Sequence, residues 1–192
     1  QQERWLRPIA EGRVRSAFVM TEPMPGAGSD PSAMRTRAEK RGDQWVVTGR
    51  KWFITGAGAA QHFILIARTS DDERRGVTAS LYNRDQPGWS ILRRIPIMGP
   101  EEHGGHCELE FDGLEIPDEN RLMGVGEGLK VTQIRLGTAR LTHWMRWVRM
   151  GRRALEIARP YVEERMNFGQ LLKEHEGVQW LLGEAAMAIE VG

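Results

Sequence analysis

The sequence predicts an α+β protein: an antiparallel β-barrel or sandwich followed by antiparallel helices of an incomplete helical bundle. Two observations lead there. Residues 16–111 hold short apolar runs, many with β-branched or aromatic residues, set apart by turn residues. Near residue 126 the pattern changes to long stretches with apolar residues at steps of three, four or seven. Strands this short and numerous favour a barrel or sandwich over a doubly wound sheet.

The predicted strands are Ser16–Met20, Arg35–Glu39, Gln44–Val47, Lys51–Thr55, Phe63–Ala67, Val77–Tyr82, Trp89–Arg93 and Cys107–Phe111. Arg41-Gly42-Asp43 reads as a hairpin turn. Pro87-Gly88 and Pro117-Asp118-Glu119-Asn120 mark further turns or loops. From Leu129 to Arg165, the residues Ile134, Leu141, Met145, Val148, Leu155 and Val162 form one stripe of a long amphipathic helix. Pro160 should bend or locally break it. Asn167-Phe168-Gly169 should end it, with Gly169 as the cap. A second helix should start near His175 and carry Val178, Leu181, Leu182, Ala185 and Ile189. Two such helices on a short connection imply the beginning of a bundle.

Composition excludes several classes. Lys and Arg number 27 against 26 Asp and Glu, so net charge gives no reason to expect nucleic acid or a membrane surface. Cys107 is the single cysteine, so no internal disulfide can form. No apolar run approaches a membrane span, and the first residues contain no apolar signal segment. The lack of an initiator Met and a last helix that simply stops read as a piece of a longer protein.

The stretch Thr21-Glu22-Pro23-Met24-Pro25-Gly26-Ala27-Gly28-Ser29-Asp30 follows the apolar run Ala17–Met20. Its glycines let backbone approach a ligand, and successive N–H groups in such a loop can form an anion nest. Any surface turn uses the same residues, so the loop alone says little. Gly124-Val125-Gly126-Glu127-Gly128 precedes the long helix, but its spacing is not a dinucleotide fingerprint, and it reads as a linker. His103, His106 and Cys107 lack the second ligand pair of a zinc site and read as structural; no metal is expected. Arg140, Arg146, Arg149, Arg152 and Arg153 share a helix with Trp144 and Trp147 at core-like positions, so most of these arginines should be solvated or ion-paired. No Gly-x-Ser-x-Gly is present.

Five stretches in order make a stronger case. They are Met20-Thr21-Glu22-Pro23 leading to Gly28-Ser29-Asp30; Lys51 to Gly56; His106 to Asn120 with Glu115-Ile116-Pro117; Arg140; and Arg165-Met166-Asn167-Phe168-Gly169 with Leu172, His175 and Val178-Gln179. Together they resemble the acyl-CoA dehydrogenase family over almost the whole chain. The resemblance implies residues 1–15 as the end of an N-terminal helical domain with its linker, 16–125 as the middle β-domain, and 126–192 as the truncated start of a C-terminal helical domain. It implies FAD as cofactor and α,β-dehydrogenation of an acyl-CoA thioester, with hydride passing to flavin N5. The implied partners are the acyl-CoA, an electron-transfer flavoprotein or similar acceptor, and further copies in a homodimer or homotetramer. Nucleic acid and a membrane span are not implied. The implied location is the bacterial cytoplasm, or mitochondria or peroxisomes in a eukaryote.

The resemblance also assigns residues. Met20 and Thr21 would face the flavin pyrimidine, where donors stabilise charge that grows on reduction. Phe18, Gly28 and Ile54 belong to the same cofactor wall. Ser29 would lie near both FAD and the CoA thioester. Phe53 stands where the family usually has Trp beside the flavin ring, and it loses the indole N–H. Thr55 matches a threonine that reaches the N5 region. Arg140 matches an arginine that contacts CoA. Arg165 and Phe168 match residues that hold the FAD of a neighbouring subunit.

Some positions depart from the pattern. The Thr21–Asp30 loop is two residues longer than the common form. Glu176 replaces a Gln that contacts FAD, and Gly137 replaces an acidic residue seen in some members. Ala139 occupies the place where a minority of members carry the catalytic Glu; in most, that Glu lies past residue 192. The resemblance therefore gives no catalytic residue within this chain, and the isolated piece should be inactive. Two alternatives stand beside the dehydrogenase: an acyl-CoA oxidase-type flavoenzyme and a non-catalytic flavin- or CoA-binding module.

Overall fold

The computed structural model describes residues 1–28, 30–72, 75–99 and 103–192. The chain divides into two compact units, Gln1–Gln133 and Ile134–Gly192.

In the first unit a π-helical turn, Gln2–Leu6, runs into a short helix, α1 (Arg7–Ala10). The strands follow as β1 (Ser16–Val19), β2 (Arg37–Arg41), β3 (Gln44–Thr55), β4 (His62–Arg68), β5 (Val77–Asn83), β6 (Trp89–Ile95), β7 (His106–Pro117) and β8 (Arg121–Leu122). Among the described residues these eight form one sheet in the order β6-β7-β3-β2-β4-β5-β8, with β1 added beside β4. The sheet is mixed. β1 runs parallel to β4, Ser16 opposite His62 through Val19 opposite Leu65, and β2 meets β4 in parallel at Arg37 and Arg68. The expected all-antiparallel sheet is corrected here. The whole β2–β3 hairpin intervenes between β1 and β4, and strand patterns carry no record of which partner a strand selects.

Two predicted strands, Gln44–Val47 and Lys51–Thr55, are one continuous β3. Gly49, between them, sits in the strand at φ +142°, where an added Cβ would lie 2.7 Å from the Thr36 Cα. Close backbone approach, not chain reversal, requires that glycine. The predicted Cys107–Phe111 strand extends to Pro117, because Gly113 is absorbed as a bulge between the Val47–Leu114 and Thr48–Asp112 pairs. The β2–β3 hairpin turns at Gly42-Asp43, as expected.

Alternation along the strands places apolar residues on both faces of the sheet. One face buries Trp45, Val47, Ile54, Phe63, Leu65, Tyr82, Leu109, Phe111 and Leu114. Tyr82 stacks on Phe63 at 4.7 Å, with Trp89 and Phe111 edge-on around them. On the other face, Ile66, Val77 and Ala79 pack with Met34, Phe18 and Met20 and with Leu129 and Val131 at the start of the long helix. The Gly124–Gly128 linker is part of this packing. Gly126 donates its N–H to the Thr78 hydroxyl at 3.0 Å, and Gly128 leaves no room for a Cβ beside Val77.

The long helix, α2 (Gly128–Glu164), crosses Pro160 without ending. Proline removes one N–H there, and the flanking turns carry the helix past it. The expected glycine cap is also corrected. Met166–Asn167 (β9) and Gln170–Leu171 (β10) pair as a small hairpin, and Phe168 and Gly169 form its two-residue turn. Both have positive φ, 49° and 82°, as a type I′ turn demands. The last helix, α3 (Glu176–Val191), returns along α2. Arg152 of α2 pairs with Glu190 at 3.8 Å; Ile189 meets Gly151 and Gly192 lies near Val148, so α3 runs antiparallel to α2. The expected stripe is exposed along most of its length: Ile134, Leu141 and Met145 lie open, as do Trp144 and Trp147, and Val162 alone of the stripe is buried.

Candidate functional site

A charged residue at an inward strand position anchors the site. Trp45, Val47 and Gly49 on β3 set a two-residue period, and the next inward place is Lys51. Its side chain is completely buried. Its ammonium donates to the Met20 carbonyl at 2.7 Å and to Glu22 Oε1 at 2.9 Å. Burial pushes the Lys51 ammonium down to about 8 against the opposing pull of Glu22.

Glu22 in turn organises the loop. Its Oε1 accepts the Thr36 N–H at 2.8 Å, and its Oε2 accepts the N–H groups of Arg35 at 2.7 Å and Ala27 at 3.1 Å. With Lys51 this makes four hydrogen bonds, about what a carboxylate's lone pairs can take. Burial raises the Glu22 carboxyl, but the Lys51 charge and the hydrogen bonds from Thr36 and Arg35 outweigh it and hold it below the usual range. The far end of the loop is held by Arg68 of β4. Its guanidinium donates to the carbonyls of Met34 at 2.8 Å, Ser32 at 2.6 Å and Ser70 at 3.0 Å. Two buried cations from two neighbouring parts of the sheet therefore clamp residues 20–36.

β3 also presents the aromatic group. Between the pairs Lys51–Leu109 and Ile54–Cys107, the residues Trp52 and Phe53 oppose Glu108 alone. A bulge of this kind re-aims a side chain. Phe53 has φ 50°, rare for a bulky residue, and its ring is left 45% exposed. Strained backbone of this kind clusters at functional sites. The Trp52 N–H binds the Thr21 carbonyl at 2.9 Å, so the bulge and the loop are directly joined. Thr55 lies two residues beyond Phe53, exposed, with its hydroxyl 3.0 Å from His106 Nδ1.

The structure thus brings Met20, Thr21, Phe53 and Thr55 onto connected backbone. Phe18 and Met20 are half-buried on the second face of the sheet, and Gly28 is exposed. The Ile54 side chain points into the core, which leaves only its backbone for a ligand. Ser29 lies outside the described residues. Arg140, Arg165 and Phe168 belong to the second unit. Arg140 is exposed on α2; Arg165 follows the end of that helix, and Phe168 stands 90% exposed at the hairpin tip. At ~1.5 Å per residue, Arg140 and Arg165 lie roughly 35 Å apart along α2, so these residues form two surfaces and not one.

Sequence reasoning missed the clamps. The two-residue period from Trp45 was a signal for Lys51, since it places a lysine among core positions. Nothing comparable marked Glu22 or Arg68. Among the described residues no group of three or more His, Cys, Asp or Glu is placed to hold a metal ion. His106 faces Thr55, and the buried Cys107 thiol donates to the Gly104 carbonyl at 3.5 Å.

What remains open to a ligand is an exposed aromatic ring, a nearby hydroxyl and the Thr21 N–H, which has no partner among the described residues. That set fits a flat aromatic ligand with an electron-rich edge. Among the described residues no helix is long and apolar enough to cross a membrane.

Comparison with known proteins identifies the family. The middle domain of acyl-CoA dehydrogenases matches residues 17–114, just over half of the chain, and the C-terminal domain of that family matches residues 126–192. The protein named probable acyl-CoA dehydrogenase FadE2 of Mycobacterium tuberculosis is 36% identical over 99% of this chain, which spans 47% of that protein. Acyl-CoA dehydrogenase family member 11 of Gallus gallus is 34% identical over 99% of this chain, which spans 25% of it. The butyryl-CoA dehydrogenase structure from Megasphaera elsdenii superposes with a TM-score of 0.85 at 31% identity, over 99% of this chain and 49% of the other. The chain therefore spans half or less of the length of these relatives. With the middle-domain match lying over the sheet, its clamped loop and its bulge, the chain belongs to the acyl-CoA dehydrogenase family.

Proposed function

We propose that this chain forms the flavin-facing wall of an FAD-dependent enzyme that dehydrogenates an acyl-CoA thioester between its α and β carbons. One observation carries the reading: the loop of Met20 and Thr21 and the bulge of Phe53 and Thr55 are locked together by Lys51, Glu22 and the Trp52 N–H. Family membership supports it, since the family is FAD-dependent. Flavin, when bound, accepts the β-hydrogen as hydride.

The chain's own residues do the rest. The exposed Phe53 ring would pack against the flavin and exclude water from that side. The Thr21 N–H binds the pyrimidine edge, where negative charge develops on reduction, and a fixed donor aimed at developing charge favours that change. Thr55 offers its hydroxyl near N5, with His106 fixing its direction. Gly28 would line the approach of the CoA thioester. Arg140 meets the CoA portion, and Arg's planar fork suits its phosphates. Arg165 and the exposed Phe168 serve the FAD of a neighbouring copy, which their distance from Arg140 along α2 supports; a homodimer or homotetramer follows. An electron-transfer flavoprotein or similar acceptor would take up the electrons. Ala139 cannot take a proton, and by the family resemblance the carboxylate that would remove the α-proton lies outside these 192 residues.

The visible spectrum of the purified protein tests the reading, recorded before and after a panel of acyl-CoAs from butyryl upward. A flavin spectrum bleached by at least one acyl-CoA in the whole enzyme is expected, with no bleaching by residues 1–192 alone. A protein that takes up no flavin overturns it.

A further inference from the structure

The Lys51–Glu22 pair reaches beyond itself to the backbone of the loop. A buried ion pair is often no more stabilising than apolar residues of the same volume. Glu22 is fully engaged by three loop N–H groups and Lys51. Lys51 has a further donor beyond the ion pair, and it goes to the carbonyl of Met20 at 2.7 Å. That carbonyl belongs to the same peptide as the Thr21 N–H. The following carbonyl, of Thr21, is held by the Trp52 N–H at 2.9 Å. Consecutive residues of β3 thus grip the carbonyls on either side of Thr21. Its N–H remains without a partner among the described residues, in a half-buried position.

We propose that Lys51 is a positioning residue whose ammonium, by holding the Met20 carbonyl, strengthens the Thr21 N–H as a donor to the pyrimidine edge of a bound flavin. This rests on the flavin reading above. A cation on a peptide oxygen draws electron density from the amide, and hydrogen bonds in series polarise one another more in a low-dielectric interior. The donor then interacts more strongly with reduced than with oxidised flavin, because negative charge gathers at that edge on reduction. Glu22 stands behind the lysine, holds it in place and anchors the loop; its negative charge acts in the opposite sense.

The opposite signs separate this role from a structural one. Midpoint potentials of the flavin-loaded protein are measured for the wild type, Lys51→Met, Glu22→Gln and the neutral double variant carrying both changes. Lys51→Met should lower the preference for reduced over oxidised flavin about tenfold, which is about 30 mV for a two-electron couple. Glu22→Gln should leave that preference unchanged or raise it. The double variant, which leaves no unpaired buried charge, should keep the fall of Lys51→Met, and it supplies the measurement if the single variant does not fold. A change below twofold in every variant lacking Lys51 overturns the inference while leaving the flavin reading intact. An equal fall in Glu22→Gln does the same, since loosening of the loop would then account for both. A wild-type protein that takes up no flavin overturns the flavin reading and this inference with it.

Discussion

The two units of this chain use apolar residues with opposite outcomes. In the β unit, Phe63, Tyr82, Leu109 and Phe111 are sealed on one face of the sheet, and Ile66, Val77 and Ala79 on the other. In the helical unit, Trp144, Trp147, Met150, Trp180, Leu181 and Met187 are all more than half exposed. Composition does not separate them, since both are rich in large apolar side chains. Geometry does. A sheet with alternating residues can bend and bury its faces within one unit. Two helices offer each other one narrow line of contact, here through Gly151 and Ile189, and the rest of each apolar face finds no partner within the unit.

The largest test of that contrast is a paired truncation. Phe111→Ala, at 1% exposure, should cost about 3–5 kcal/mol. Trp147→Ala, at 63% exposure, should stay within about 0.5 kcal/mol. Urea unfolding of the two variants decides it, and a comparable loss from Trp147→Ala would mean that its ring is covered by something other than these two helices. Close behind comes Lys51→Met alone, which leaves Glu22 charged in the core and should cost about 3–5 kcal/mol. With Glu22→Gln added, the loss should shrink by more than half, because no unpaired charge remains. Thermal unfolding of both variants measures this.

The pair also gives the β unit its own pH dependence. Glu22 is held below its ordinary 4.5, so the unfolded chain takes up the proton first as pH falls. The stability from this carboxylate is fully present above 4.5 and fades below it; Glu22→Gln should flatten that part of the acid limb. Lys51 titrates near 8 when folded against 10.5 ordinarily. Between those values the unfolded chain holds the extra proton, so stability should rise with pH there, and Lys51→Met should remove the rise. Denaturant midpoints across pH 3–10 check both limbs. The smallest expected effect is at Arg152, whose exposed contact with Glu190 at 3.8 Å is worth about 0.2–1 kcal/mol. Arg152→Ala should shift the melting temperature by no more than about 4 °C.

How much of the site could be read from sequence depends on distance along the chain. Local signals held. Gly42-Asp43 turns the β2–β3 hairpin, and the run from Leu129 is a helix. The loop at Thr21 and the segment at Lys51 were each recognisable, and their shared order identified the family. The bulge was not visible, because Lys51-Trp52-Phe53-Ile54 reads as an ordinary strand until Glu108 is found opposite two residues at once. Phe168-Gly169 shows the same limit at short range. A glycine after a helix suits a cap and a hairpin turn equally, and pairing of Asn167 with Gln170 selects the turn.

Sequence by itself therefore determined the β-then-helix order and the family, because periodicity and local motifs are written in neighbouring residues. Tertiary structure alone decided that β1 runs parallel to β4, that Glu22 and Arg68 hold the loop, and that Lys51 lies against the Met20 carbonyl. Most of these join residues distant along the chain, 31 positions for Lys51 and Met20 and 34 for Arg68 and Met34, while Glu22 reaches Thr36 across 14. For Glu22, Lys51 and Arg68 the cause is the demand that every buried charge meet a partner, and no local pattern records where that partner will be.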